Sequence, residues 1–594
     1  MHILGISCFY HDAAAALLRD GVLVAAAEEE RFSRVKHDFG FPGLAVDFCL
    51  RKAGLRAADL DYVVFYEKPF LKFERILLTI LQTYPRSLKV FREAMINWFG
   101  DKLWVKGIIH KRLGVPLERI LFVEHHLSHA ASAYFASPFE ESAILTIDGV
   151  GEWATTTLGR ARGSEIALES EQRFPHSLGL LYSAFTAYLG FEVNEGEYKV
   201  MGMAPYGEPK YAEEVWKTVR RHPGGAFSLE MDYFAFHRST TQSFSPKLVE
   251  ILGPPRRPES KFFTRSSGYP SYYGPKPPGY EAECRLNEHY ADVAASIQRV
   301  TEEIILDMAR ELRRRTGLDR LCMAGGVALN SVANGRLLRE SGFRELYIQP
   351  AAGDGGGALG AALYLHNAVL GLRRSPPMGH AYWGEEYGPA EAARQLREAG
   401  ARWEEIGDEG KLIDRVVERL LRGEVVGWHQ GRFEWGPRAL GNRSILANPA
   451  REEMKEIVNT KIKFREPFRP FAPSVLAGRA GEFFELEDPL RHYPARFMLL
   501  VAPVRPEKRD AIPATTHVDG TGRLQTVFRE TNPLYYSLIE RFGTASGVPV
   551  VLNTSFNLRG EPIVNTPANA FRTYMASEMD ALVVGRFLMA KNGG

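Results

Sequence analysis

MHILGISCFYHDAAAALLRDGVLVAAA, residues 1–27, opens with an apolar run, Met1–Ser7, that reads as a strand. Polar residues follow at Cys8–Ala13, with His11 and Asp12 just past the strand. Ala14–Leu18 then leads to a turn at Asp20-Gly21 and a second strand, Gly21–Ala27. Asp-Gly between apolar runs is a strong hairpin signal, because the tight hairpin turns need positive φ. A second strand pair lies downstream, where Ala143–Asp148 and Ala154–Leu158 are joined by Gly149-Val150-Gly151-Glu152.

Outward from these pairs, Leu44–Ala53 has a helical pattern and Tyr62–Tyr66 that of a strand. Phe70–Leu113 alternates apolar and basic residues at helical spacing, as surface helices do. Ala291–Thr316 is an amphipathic helix feeding a strand at Arg320–Ala324, then Gly325-Gly326 and a further helix. The strand Glu345–Gln349 ends in the glycine-rich run AAGDGGGALGAAL, which contains Gly353 and Asp354. Glycine lets backbone approach a phosphate, a helix N-terminus adds a favourable dipole, and an acid beside the turn holds a metal or water there. Singly these turns are weak signals. In order they are an acid-bearing hairpin, a second one, a Gly-Gly helix start and a Gly-Asp-Gly helix start. That order resembles the actin, hexokinase and heat-shock ATPase superfamily, whose two hairpins grip phosphates and whose later Gly-Gly turn holds adenosine. The resemblance implies an α/β fold of duplicated subdomains.

Leu372–Pro377 (LRRSPP) is the best linker, so the expected domains are 1–372, with an irregular Pro-, Gly- and aromatic-rich insertion near 205–281, and 378–594. A chain of 594 residues is too long for one core. Its 74 Lys and Arg nearly balance 72 Asp and Glu, without the excess of a nucleic-acid binder, so no such partner is expected. Cys8, Cys49, Cys284 and Cys322 form no C-x-x-C pair, against a zinc ribbon or a disulfide framework. No run approaches the ~20 apolar residues of a membrane span. The N-terminus also lacks a basic leader pattern. A cytoplasmic protein with no membrane partner is expected; a homodimer stays open.

His125 and His129 stand in EHHLSHAASAYFASPF, free of Pro and Gly until Pro138. On a helix they share one face, the spacing at which two imidazoles grip one ion. Such a pair is more often core or surface, and without H-E-x-x-H a zinc-protease reading fails. A carboxylate from Asp148 or Asp354 completes a mixed site suited to Fe(II), Zn(II) or Mn(II). Later, Arg432, Arg438, Arg443, Lys461, Lys463, Arg465 and Arg469 cluster with only Glu434 and Glu466 nearby. Against surface ion pairing, that excess points to an anionic ligand, since guanidinium forks suit phosphate oxygens.

HHLSHAASAYFASPF, EGEYKVMGMAPYG, AGGVALN, GDGGGALGAAL, RFEWGPRALGNRSI, KFREPFRPFAPSV and NTSFNLRGEPIV follow in order over nearly the whole chain. Together they resemble the O-carbamoyltransferases of antibiotic tailoring and nodulation-factor synthesis. The resemblance implies a first domain similar to the metal-dependent tRNA threonylcarbamoyl transferases (TsaD-like). It implies a second similar to the YrdC-like α/β domain that makes acyl-adenylates. ATP and carbamoyl phosphate would be co-substrates, a small-molecule hydroxyl the acceptor, and a divalent metal the cofactor, Fe(II) first and otherwise Zn, Mn or Mg.

Carried onto matching positions, the metal ligands are His125, His129, Asp148 and Asp354, and His11, beside Asp12, activates the acceptor hydroxyl. Arg438, Lys463, Arg469 and Arg523 hold carbamoyl phosphate and the nucleotide phosphates, with Lys463 and Arg469 taking part in catalysis; Arg443, from the cationic run, is a further binding candidate. Gly325, Gly326, Asn330 and Gly353 line the nucleotide. Lys199 neutralises a phosphate or pairs with Glu195 or Glu197. Asn553, Ser555, Asn557 and Arg559 donate to ribose or phosphate or cap a turn, and His517 is a ligand contact or a structural histidine. Two rivals remain. One is a threonylcarbamoyl tRNA enzyme, against which the even charge weighs. The other is a kinase- or chaperone-like ATPase with a C-terminal binding module, which would release ADP without carbamoyl phosphate.

Overall fold

His2–Ser7 (β1), almost wholly buried, is the middle strand of a five-stranded sheet. Ala14–Arg19 (β2) and Val22–Glu28 (β3) fold back beside it as an antiparallel meander. Tyr62–Phe65 (β4) and Ile120–Phe122 (β5) run parallel on its other side, giving β3-β2-β1-β4-β5. The plan recurs. Glu141–Ile147 (β6), Ala154–Arg162 (β7) and Glu165–Arg173 (β8) form the second meander. After a short hairpin of Val219–Arg221 (β9) and Phe227–Leu229 (β10), Arg320–Ala324 (β11) and Glu345–Ile348 (β12) join β6 in parallel, giving β12-β11-β6-β7-β8. Counted from their middle strands the two sheets match, which is the duplicated α/β architecture of the actin and hexokinase type.

The computed structural model describes residues 1–85, 87–100 and 102–591; the side chain of Lys461 lies outside the described residues. Pro69–Thr83 (α1), Leu88–Gly100 (α2) and Val105–Leu113 (α3) occupy the stretch read as surface helices. His125–Tyr134 (α4) is helical as its spacing predicts. Tyr280–Thr316 (α5) begins well ahead of Ala291, because its first turns are polar and show no apolar stripe. Ser331–Glu340 (α6) and Asp354–Tyr364 (α7) follow β11 and β12. Much of the glycine run in α7 serves packing. A Cβ on Gly360 would stand 1.8 Å from the Ser128 carbonyl of α4, and one on Gly356 2.0 Å from that of Ala351.

The chain divides into two compact units. One comprises Met1–Glu29, Phe39–Ser266 and Pro278–Met378, and the other Glu30–Asp38, Ser267–Pro277 and Gly379–Gly594. The second is built on a mixed sheet. Its strands are Glu404–Glu405 (β13), Val426–His429 (β14), Arg443–Ala447 (β15), Ala472–Leu476 (β16), Leu500–Pro503 (β17), Thr521–Val527 (β18), Val550–Ser555 (β19), Ala581–Val584 (β20) and Phe587–Ala590 (β21). They lie in the order β13-β21-β20-β14-β15-β19-β16-β18-β17. Alternation splits its residues between two cores. Leu446, Val551 and Val583 pack with Glu409–Arg422 (α8) and Pro533–Ser546 (α9). Ile445, Leu552 and Leu582 pack with Pro567–Met575 (α10).

The short segments belong to this unit through specific bonds. Arg31 donates to the Gly436 carbonyl at 2.7 Å, Arg34 to those of Ile563 and Pro562, and the Tyr272 hydroxyl to that of Arg465. Among the described residues no helix is long and apolar enough to cross a membrane.

Candidate active site

α4 sets His125 and His129 one turn apart, Asp148 follows β6, and Asp354 begins α7, where the helix dipole favours a carboxylate. His125 Nε2 lies 3.0 Å from His129 Nε2, 3.1 Å from Asp148 Oδ2 and 3.7 Å from Asp354 Oδ1. His129 Nε2 lies 3.8 and 3.9 Å from the same two oxygens. All four residues are buried, with ligand atoms within 4.8 Å of one another. Each carboxylate turns its other oxygen to a fixed donor. The Gly326 N–H donates to Asp148 Oδ1 at 2.8 Å, and the Tyr66 hydroxyl to Asp354 Oδ2 at 3.3 Å. Two imidazole nitrogens and two oriented carboxylate oxygens form a donor set that fits a divalent transition metal.

The electrostatics show the same convergence. Burial acts to raise Asp148, but His125 and His129 hold it well below the usual carboxylate range. In Asp354, burial wins over His125 and, with the charge of Asp148, raises it. Burial acts to lower His125, yet Asp148, Glu67 and Asp354 bring it up to about 10. The charges of His125, Asp148 and Asp354 thus act on one another at one point.

A layer of support surrounds them. Glu67 Oε2 lies 3.8 Å from His125 Nδ1 and 2.6 Å from the Lys72 ammonium of α1. Against its burial, Lys72 and His125 bring Glu67 down to about 2. Glu152 caps α4, accepting from the His125 N–H at 3.0 and 3.2 Å and from the Lys68 N–H at 2.8 Å. Beyond β1, His11 Nδ1 lies 2.9 Å from Asp12 Oδ2 and Nε2 lies 3.0 Å from the Asn194 carbonyl oxygen. Burial acts to lower His11, but Asp12, Asp354 and that carbonyl raise it to about 10. With an acceptor on each nitrogen the ring is held as imidazolium.

The second unit holds a cationic cluster. Lys463 is 4% exposed, and its ammonium donates to the Ser555 carbonyl and, at 2.9 Å each, to the Asn557 carbonyl and Oδ1. Burial, then Arg465 and Arg469, pushes Lys463 well below the ordinary lysine range. Burial, then Arg438, Arg465 and Arg469, does the same to Arg523 on β18. Arg523 Nε is buried with no hydrogen-bond partner among the described residues. Glu466 stands 3.5 Å from Arg469, and the charge of Glu561 acts on Lys463. Gathering cations out of water is costly unless an anion compensates them.

Arg443 is not brought to that cluster. It is 0% exposed, and its guanidinium donates to the carbonyls of Asn565, Gln430, Gly431, Asn442 and Glu385, so it organises the 430–443 turn. Asn553 lies within the sheet, its Nδ2 donating to Ala439 O, Ser474 Oγ and Gln525 Oε1. Ser555 and Asn557 lie on Lys463, while Arg559 is exposed. His517 Nε2 is 3.4 Å from the Phe468 carbonyl oxygen, and Nδ1 3.5 Å from Asp519.

In the first unit Gly325, at φ 95, leads into the Gly326 N–H on Asp148. Gly353 immediately precedes Asp354, with open space where its Cβ would be. Asn330 caps α6 and exchanges hydrogen bonds with Gln298, and Lys199 Nζ stands 5.4 Å from the centre of the Phe191 ring. Sequence reasoning missed Tyr66, Glu67, Lys72 and Glu152. Tyr66 and Glu67 directly follow a strand, the position that marked His11, so that signal was open. Lys72 carries none, because its burial depends on how α1 docks.

The model of the carbamoyltransferase N-terminus matches residues 2–363, and that of the carbamoyltransferase C-terminus residues 417–591. An uncharacterized protein of Synechocystis sp. is 46% identical, over 99% of this chain and 97% of its own. Nodulation protein NolNO of Sinorhizobium fredii is 39% identical, over 98% of this chain and 79% of its own. The 3'-hydroxymethylcephem-O-carbamoyltransferase of Streptomyces clavuligerus is 33% identical, over 49% of this chain and 53% of its own.

Proposed function

The chain belongs to the carbamoyltransferase family, and from that premise we propose that it is an ATP-consuming O-carbamoyltransferase working through carbamoyl-adenylate. The observation that carries this reading is the mutual cationic influence of Arg438, Lys463, Arg465, Arg469 and Arg523, a place for polyanions in a unit separate from the His/Asp group. Carbamoyl phosphate is a modest electrophile and a hydroxyl a weak nucleophile, so two easier steps replace one hard step. Carbamate, released from carbamoyl phosphate by hydrolysis, attacks the α-phosphorus of ATP and pyrophosphate leaves. Lys463, Arg469 and Arg523 stabilise the charge on the phosphoryl oxygens.

In the first unit the acceptor hydroxyl takes the place of the Asn194 carbonyl at His11 Nε2. With that carbonyl gone the ring gives its Nε2 proton to solvent, the bare nitrogen accepts the hydroxyl proton, and Asp12 on Nδ1 favours the imidazolium so formed. The hydroxyl oxygen attacks the carbamoyl carbon and AMP leaves. His125, His129, Asp148 and Asp354 would hold a divalent metal, Fe(II) being the first expectation, which would supply Lewis acidity. The acceptor is a small molecule such as a secondary metabolite or a sugar, in keeping with the name of the cephem relative.

Incubation with ATP, carbamoyl phosphate and an accepting alcohol is expected to yield AMP and pyrophosphate, resolved by chromatography. ADP without AMP sinks the adenylate step. Replacing both histidines (His125→Ala with His129→Ala) is expected to abolish metal content and transfer together.

A further inference from the structure

α1 carries a second cation on the face that bears Lys72. Arg75 lies three residues further on, is 6% exposed, and has its guanidinium carbon 4.9 Å from the centre of the Phe174 ring. Lys72 has its carboxylate partner, Glu67 at 2.6 Å. Arg75 has none. Among the described residues its guanidinium makes no ion pair or hydrogen bond, and Nε is buried. The groups that act on it electrostatically are Tyr10, Glu67 and Glu152, and Tyr10 is acted on in turn by Asp354 and Asp148. Lys72, one turn before Arg75, pairs with Glu67, which stands 3.8 Å from His125 Nδ1, so this face of α1 borders the His/Asp group. Tyr10 also lies over Lys72, whose ammonium is 3.9 Å from the ring centre.

Burying a guanidinium without a counter-charge disfavours folding, and the face of one phenylalanine offsets only part of that cost. Folds retain such a group where a ligand supplies the missing charge. We propose that Arg75 is the anion-binding residue of a subsite beside His125, His129, Asp148 and Asp354, taking an oxyanion of the molecule that reacts there. Its planar fork suits two oxygens of a phosphate or a carboxylate. Two sources share that chemistry, the phosphate of a nucleotide and an acidic group on the acceptor. The subsite stands on the placement of α1 and holds whichever activated carbamoyl donor the enzyme uses.

The test uses the full-length protein carrying Arg523→Met, which removes a cation from the other cluster. Arg75 is compared with Arg75→Met and Arg75→Lys by calorimetry with inorganic phosphate, AMP and adenosine as probes. Arg75→Met is expected to weaken phosphate binding about 10- to 100-fold, as loss of charged hydrogen bonds does, and to leave adenosine unchanged, with partial recovery in Arg75→Lys. AMP weakening in step with phosphate assigns the oxyanion to the nucleotide, while weakened phosphate with unchanged AMP assigns it to the acceptor. Because an unpaired charge is removed, Arg75→Met is also expected to raise Tm. Unchanged phosphate affinity overturns the subsite. A loss shared equally by adenosine does too, since it marks collapse of the fold.

Discussion

Tyr66 and Gly326 show how single donors prepare the site: each holds one carboxylate oxygen so that the other faces the histidines. Removing the donor with Tyr66→Phe is expected to lower affinity for a divalent transition metal by roughly 10-fold, read by chelator competition. Unchanged affinity would mean that Tyr66 merely sits beside the group. In the other unit Lys463 predicts a proton linkage. Its pKa is held low by burial, then by Arg465 and Arg469, and the charge of a bound polyanion acts in the opposite direction, favouring the ammonium. The liganded protein then holds more protons than the free one near the lowered pKa, so ATP binding takes up protons and weakens as pH rises through that window. Calorimetry in two buffers of different ionisation enthalpy measures the uptake, and Lys463→Met is expected to diminish it.

At the scale of elements, the contact of α4 with α7 decides whether the four candidate ligands meet. His125 and His129 ride on α4 and Asp354 on α7, and Gly360 lets the two helices approach. Gly360→Ala drives a Cβ to 1.8 Å from the Ser128 carbonyl, backbone that cannot swing aside. It is expected to cost about 2–3 kcal/mol in denaturant unfolding and to lower metal affinity. Gly353→Ala meets open space and is expected to stay within about 0.5 kcal/mol of the parent. Equal effects at the two positions would show that close helix packing is not what the run provides.

The two units are not consecutive along the chain. Residues 30–38 and 267–277 belong to the second unit, so a fragment starting at Gly379 lacks the donors that bond Gly436, Pro562, Ile563 and Arg465. Such a fragment is expected to melt at a lower temperature and over a broader range than the full chain, by circular dichroism. Equally sharp melting at the same temperature would make the two segments passengers.

Most of the first sheet pair was legible as apolar runs ended by turn residues, and the histidine pair as a helical spacing beside acidic strand ends. These signals are local: period, turn chemistry and residue type lie within a few positions of one another. What lay beyond reach was the environment of polar side chains. Arg443 stood in a cationic run and reads as a phosphate ligand, yet five carbonyls from separate loops enclose it. Local chemistry therefore determined the strand pairs, the helix of the histidines and the excess of cations. Only tertiary structure decided which charges are compensated, because compensation comes from contacts such as Tyr66 with Asp354 or Arg31 with Gly436, hundreds of residues apart, that exist once the sheets and helices have packed.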